Sequence, residues 1–224
     1  MSKREHVIAE LAGLIVAIAL PHPMRVAIDG VDAAGKTTLA DELVSVIEAR
    51  GRTVIRASVD GFHNPREVRY QRGADSPEGY YYDSFDHDAI LRELLTPLGP
   101  DGSRMYHRTM FDYRVDAPLL EPASEAPIDA VLIFDGVFLL RPELINSWDF
   151  SIFVDVDFDI SVPRAVTRDV VRSKKELSPQ IILAKYNQRY VPGQQIYLAD
   201  ARPREKADVV IDNNDFKNPG LILL

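Results

Sequence analysis

Eight consecutive residues, Gly30-Val31-Asp32-Ala33-Ala34-Gly35-Lys36-Thr37, fit the pattern G-x-x-x-x-G-K-[ST], and no other feature limits the fold as tightly. Such a loop functions only between a strand and the N-terminus of a helix. Its backbone N–H groups surround a polyphosphate, the lysine reaches the β/γ oxygens and the hydroxyl residue holds Mg²⁺. Both flanks comply. Met24 to Asp29 (MRVAID) reads as a buried strand, and Thr38 to Arg50 carries Leu39, Leu43, Val44 and Ile47 at helical spacing. The helix dipole and its free N–H groups then point at the anion. This predicts a nucleoside triphosphate site built by Gly30, Ala33, Ala34, Gly35, Lys36, Thr37 and Thr38.

Further strand-like runs at Thr53–Val59, Ala130–Asp135, Phe150–Asp155 and Ala207–Ile211 alternate with helical segments. Several are nearly continuous in Val, Ile, Phe and Ala, as strands buried on both faces of a parallel sheet must be. The expectation is an α/β fold of three layers, with a mainly parallel central sheet, forming one domain over residues 1–224. Leu11 to Leu20 is apolar and follows Lys3 and Arg4. It is too short to span a bilayer, is interrupted at its start by Glu10, and has no small-residue cleavage site before Pro21. A helix over about Glu5–Leu20, packing on the domain, is the expected reading of residues 1–20. The net charge of −8 argues against a nucleic-acid binder, and the absence of cysteine removes disulfides, thiolate metal sites and cysteine nucleophiles. No membrane partner is expected, a cytoplasmic location is consistent with this composition, and self-association is left open.

Two acids stand at strand tips. Asp135 follows Val131-Leu132-Ile133-Phe134 and precedes Gly136, where a second acid near the Mg²⁺ water shell belongs. Asp60 ends the run Val54 to Val59 and opens into Gly61-Phe62-His63. A carboxylate there faces the crevice where open α/β sheets bind ligands, and can take a proton from an acceptor hydroxyl. The following stretch to Tyr82, rich in Arg, Gly, Pro and Tyr, reads as a long functional loop, and Gly99 to Ala126 as a similar one.

The set GVDAAGKTT, SVDGFH, IFDG and RDVVR resembles the uridine kinase branch of the phosphoribulokinase/uridine kinase family, over about Arg25 to Asp215. The resemblance implies Asp60 as catalytic base and participant at Mg²⁺, with Thr37 and Asp135 as its other metal residues. It implies His63 beside the substrate, an aromatic–aspartate pair as either Tyr82/Asp83 or Phe85/Asp86, and Tyr113 in the acceptor pocket. Departures are Asp135 where the family has glutamate and His63 where uridine kinases have tyrosine. Gly73 to Glu78 is similar to a run in pantothenate and sugar kinases.

Residues 159–190 read as two helical segments broken near Ser178-Pro179, with Arg164, Arg168, Arg172, Lys174 and Lys175 concentrated on them. A lid of this kind neutralises charge on a transferring phosphoryl group and excludes water. Lys36 and Arg168 are the expected catalytic cations, and Arg172 a nucleotide contact. The implied activity is ATP- and Mg²⁺-dependent transfer to a small-molecule hydroxyl, with the 5′-hydroxyl of uridine or cytidine favoured. The alternatives are a pantothenate or sugar kinase of the same superfamily and, in a different class, a phosphate-loop regulatory ATPase.

Overall fold

The computed structural model describes residues 2–174 and 176–224. In chain order its elements are α1 (Lys3–Ala17), β1 (Met24–Gly30), α2 (Lys36–Glu48), β2 (Val54–Ser58), α3 (Arg66–Arg69), α4 (Pro77–Asp83) and α5 (His87–Ile90). Four two-residue strands follow: β3 (Met105–Tyr106), β4 (Phe111–Asp112), β5 (Ala117–Pro118) and β6 (Ser124–Glu125). The chain continues through β7 (Val131–Asp135), β8 (Phe150–Asp155), α6 (Phe158–Arg172), α7 (Pro179–Lys185), α8 (Val191–Ala201), α9 (Pro203–Lys206), β9 (Val209–Asp212) and β10 (Gly220–Leu223).

Six strands form the main sheet in the order β10-β9-β8-β1-β7-β2. All neighbours are parallel except β10, which runs antiparallel to β9. Every residue of β1 and β7 is buried, as their uninterrupted apolar runs require of central strands covered on both faces. The edge strand β2 alternates instead, with Ile55 and Ala57 buried and Val54, Arg56 and Ser58 half-buried. Its register sets Ser58 opposite Asp135, so two strand tips meet beside the phosphate loop.

The N-terminal helix runs from Lys3 to Ala17, three residues short of the expected end. Ser2 and Glu5 form a reciprocal capping box, which explains the early start, and Ile18 turns extended ahead of Pro21 and Pro23. Val7, Ile8, Leu11, Ala12 and Ile15 form its buried stripe, in one core with Leu39, Leu43 and Ile47 of α2. Among the described residues no helix is long and apolar enough to cross a membrane.

Neither expected long loop is irregular throughout. Gly61 to Tyr82 contains α3 and most of α4, and α4 starts where Ser76 accepts a hydrogen bond from Gly79 N and Pro77 takes the first turn. The stretch from Gly99 to Ala126 holds two small antiparallel ladders, β3–β6 and β4–β5. Near Ser178-Pro179 the chain does break, and Ser178 caps α7. Lys175 lies outside the described residues.

Candidate active site

The loop between β1 and α2 is held open by its own contacts. Gly35 has φ 97°, and a Cβ there would come within 2.7 Å of Asn213 Nδ2, so glycine is required twice over. Asn213 Nδ2 donates to Ala34 O at 2.6 Å, Gly30 N donates to Asp29 Oδ1 at 2.7 Å, and Asp32 N donates to Gln194 Oε1 at 2.6 Å. Lys36 Nζ donates to Val31 O at 2.7 Å across the loop. Burial pushes the lysine's pKa down, and the carboxylates of Asp32, Asp29 and Asp135 oppose that.

This loop floors a cavity of about 690 Å³. Ala33, Gly35, Lys36, Thr37 and Thr38 line it on the donor side, while Gly30 and Ala34 are buried behind them as the loop's frame. Asp60 reaches it from a tight turn, Val59–Phe62, that continues β2. Ser58 caps that turn by accepting a hydrogen bond from Asp60 N, and the Asp60 carboxylate has no hydrogen-bond partner among the described residues. Gly61 lets the turn lie against Thr109, whose Oγ1 donates to Gly61 O.

Asp135, at the tip of β7, is almost sealed. Thr37 Oγ1 donates to its Oδ2 at 2.6 Å, and Arg56 Nη1 lies 2.7 Å from its Oδ1. That contact is off the hydrogen-bonding axis, so it is an ion contact and Oδ1 is left with no hydrogen bond. The cavity-facing hydroxyl of Thr37 and a buried carboxylate oxygen with a free lone pair form the oxygen donor set that suits Mg²⁺, which takes one or two protein ligands and fills its shell with water and phosphate. The residues present therefore fit that ion.

The acceptor side is aromatic. His63 packs between Phe85 and Tyr113, with ring centroids 4.6 and 4.8 Å away, and its Nδ1 lies 3.0 Å from Asp60 O. Burial lowers the His63 pKa, which favours the neutral imidazole. Tyr80, Tyr186 and Tyr190 complete this wall. The expectation for Tyr82 and Asp83 needs correction, because neither lines the cavity. The phase of α4 turns Tyr80 and Tyr81 inward and leaves Tyr82 46% exposed against Tyr81 and Arg72. Asp83 is buried and paired with Arg72 at 2.7 Å. Of the other register, Phe85 lines the cavity, but Asp86 caps α5 by accepting from Ala89 N.

Helix α6 brings Arg164, Arg168 and Arg172 to the cavity. Arg164 donates to the carbonyls of Asn213 and Asn214, and Asn213 in turn braces the loop through Ala34 O. Arg168 donates to Asp169 at 2.8 Å and to Tyr186 Oη at 3.0 Å. Burial opposes its charge, but Asp169, Tyr186 and Asp32 together outweigh that and raise the Arg168 pKa further. The residues that sequence reading passed over are Asp32, Arg56, Tyr80, Tyr186, Tyr190 and Gln194. Only Asp32 and Arg56 carried a local signal, an acid inside a phosphate loop and a charge inside a strand.

Comparison with known proteins identifies the family of the chain. The model of the phosphoribulokinase/uridine kinase family matches residues 26–215. A uridine kinase of Brevibacillus brevis is 26% identical over 208 residues, covering 91% of each chain. The solved structure of a possible uridine kinase from Bacillus stearothermophilus superposes with a TM-score of 0.72 at 25% identity, covering 93% of this chain and 98% of that one. A candidate fructose transport system kinase from Silicibacter reaches 0.68 at 25% identity, covering 89% and 94%. The chain belongs to the phosphoribulokinase/uridine kinase family and is an ATP-dependent kinase that transfers phosphate to a hydroxyl.

Proposed function

We propose that the protein phosphorylates a nucleoside at its sugar hydroxyl, with the 5′-hydroxyl of uridine or cytidine as acceptor. The observation that carries this reading is the placement of Asp60 between the phosphate loop and a wall made of His63, Tyr80, Phe85 and Tyr113. Such a wall offers flat apolar faces to a planar base while the strand-tip carboxylate meets the hydroxyl.

The donor nucleotide lies along the loop, with Lys36 on its β/γ oxygens and Thr37 and Asp135 holding Mg²⁺. Thr37 and Asp135 would hold the ion, which when bound would supply positive charge that offsets the charge developing on the phosphate oxygens. Asp60 orients the acceptor hydroxyl and takes its proton as the new oxygen–phosphorus bond forms and the bond to the β-phosphate breaks. Arg168 and Arg172, on a lid formed by residues 159–190, neutralise the equatorial oxygens once Arg168 leaves Asp169. Water excluded by that lid does not compete with the acceptor.

A second reading, phosphorylation of a sugar, is favoured by the likeness to the candidate fructose transport system kinase. An ATP-consumption screen over uridine, cytidine, pantothenate, fructose and nicotinamide riboside tests both. Preferred turnover with uridine or cytidine supports the nucleoside reading, and preference for fructose replaces it. ATP turnover that is equal with no acceptor present would refute both.

A further inference from the structure

The third residue of the phosphate loop, Asp32, has no part in the phosphoryl transfer described above, yet its side chain lines the same cavity as Asp60, Tyr80 and Phe85. It is fixed on one side only. Oδ2 accepts from Tyr80 Oη at 3.0 Å and from Gln194 Nε2 at 3.4 Å, while the Asp32 backbone N donates to Gln194 Oε1 at 2.6 Å. Those contacts aim the carboxylate. Oδ1 accepts no hydrogen bond among the described residues and is not one of the sealed, unsatisfied atoms, so it opens into the cavity.

Its charge is felt by both halves of the site. Burial raises the Asp32 pKa and Asp60 adds to that, while Lys36, Arg168 and the Tyr80 hydrogen bond oppose it and favour the carboxylate. An ionised carboxylate only accepts hydrogen bonds. Triphosphate oxygens are acceptors as well and are repelled by it, so the natural partner of Oδ1 is a donor on the other substrate. A role as a mere strap to Tyr80 and Gln194 uses Oδ2 alone and leaves Oδ1 unexplained.

We propose that Asp32 binds a second hydroxyl of the phosphoryl acceptor, and so selects acceptors that carry one beside the hydroxyl that is phosphorylated. The proposal rests on the reading above only in taking the acceptor to be a small molecule with several hydroxyls. It makes the donor loop itself a specificity element, one that Asp60 and the aromatic wall do not supply.

The test compares wild type with Asp32→Ala on whichever of uridine, cytidine, pantothenate or fructose the wild type prefers, and on the singly deoxygenated analogues of that compound. Uridine, for example, is set against 2′-deoxyuridine and 3′-deoxyuridine. Wild type should favour the parent over one analogue by about ten- to a hundredfold in kcat/KM, the range for a hydrogen bond to a charged group. In Asp32→Ala that ratio should fall below about threefold, the acceptor KM should rise by a similar factor and the KM for ATP should stay within about twofold. If Asp32→Ala does not fold, Asp32→Asn is read by the same ratio, which should drop by about tenfold. A ratio that survives substitution, or a rise in the KM for ATP alone, overturns the proposal while the kinase reading stands. ATP turnover by the wild type that is equal with and without every acceptor overturns both.

Discussion

Arg56 is the residue whose removal should most clearly expose the electrostatics beneath the metal site. Its guanidinium lies 2.7 Å from Asp135 Oδ1, and the two side chains are 26% and 4% exposed. Among the described residues the Asp135 carboxylate otherwise accepts a hydrogen bond only from the Thr37 hydroxyl. Arg56→Met keeps length and apolar bulk but leaves that carboxylate buried with one neutral donor. Breaking a fully sealed pair costs ~3–5 kcal/mol, and the partial exposure of Arg56 reduces this to about 2–3 kcal/mol. The second partner of Arg56, Asp41, is 64% exposed and adds little. For a chain of this size that loss lowers the melting temperature by about 4–12 °C. The readout is thermal unfolding by circular dichroism, with and without Mg²⁺ and a non-hydrolysable ATP analogue at saturation. A divalent cation beside Asp135 replaces the lost charge, so the ligand should raise the melting temperature of the variant more than that of wild type. The reasoning is refuted if the variant melts within about one degree of wild type without ligand. It is equally refuted if the ligand shifts both proteins by the same amount.

Asp60→Asn should lower phosphoryl transfer by about two to four orders of magnitude with ATP binding intact, measured by coupled assay and calorimetry; unchanged transfer removes Asp60 from the base role. Asp29, fully buried beneath the loop, has its pKa raised by burial from 3.8 to about 6 despite hydrogen bonds from Tyr197, Gly30 and Leu140. The folded protein therefore holds this proton more tightly than the unfolded chain. The group costs nothing below about pH 4, costs more as the pH rises, and carries its full penalty above about pH 6. Tyr197→Phe removes the strongest of those donors, so urea titrations should show a destabilisation of about 1.5–3 kcal/mol at pH 8 and clearly less at pH 4.5; equal losses would refute the assignment. At Gly136 a Cβ would sit 2.5 Å from Val59 Cβ and Cγ1 in the core. Gly136→Ala should thus cost about 1–3 kcal/mol in urea and reduce kcat more than ATP affinity, because the strain falls on the turn that carries Asp60.

The donor half was legible because each link in it is local. Strand, glycine loop and helix are contiguous from Met24 to Glu48, so hydrophobic period and loop pattern together fix where Lys36 and Thr37 must sit. Asp60 and Asp135 were legible for a similar reason, since each ends an apolar run and parallel strands deliver their C-terminal tips to one edge. Strand β10 was not, because Gly220–Leu223 is a short apolar run after a polar turn and its pairing with β9 depends on an antiparallel return that no period announces. Arg56 was visible as a charge within a strand, but its meaning depends on β2 lying at the sheet edge beside β7, which is a property of strand order.

The acceptor half failed differently, and the failure bears on function. Its wall is assembled from His63, Tyr80, Phe85, Tyr113, Tyr186 and Tyr190, which come from five separate segments, so no spacing along the chain could have grouped them. Choosing between Tyr82/Asp83 and Phe85/Asp86 required a helical phase, and Ser76-Pro77 held it: a capping serine and a first-turn proline start α4 at Pro77. From that start, Tyr80 and Tyr81 face the core and Tyr82 faces solvent. Both aspartates are then spent locally, Asp83 on Arg72 and Asp86 on the cap of α5. An acceptor pocket whose candidate aspartate is committed elsewhere in either register draws its hydroxyl-binding carboxylates from other places. Among the described residues the cavity-lining acids are Asp32, Asp60, Asp135 and Asp169. Asp135 is held by Thr37 and Arg56, and Asp169 by Arg168 and Tyr186. Asp60 and Asp32 are left to meet the acceptor, one at the strand tip and one on the phosphate loop.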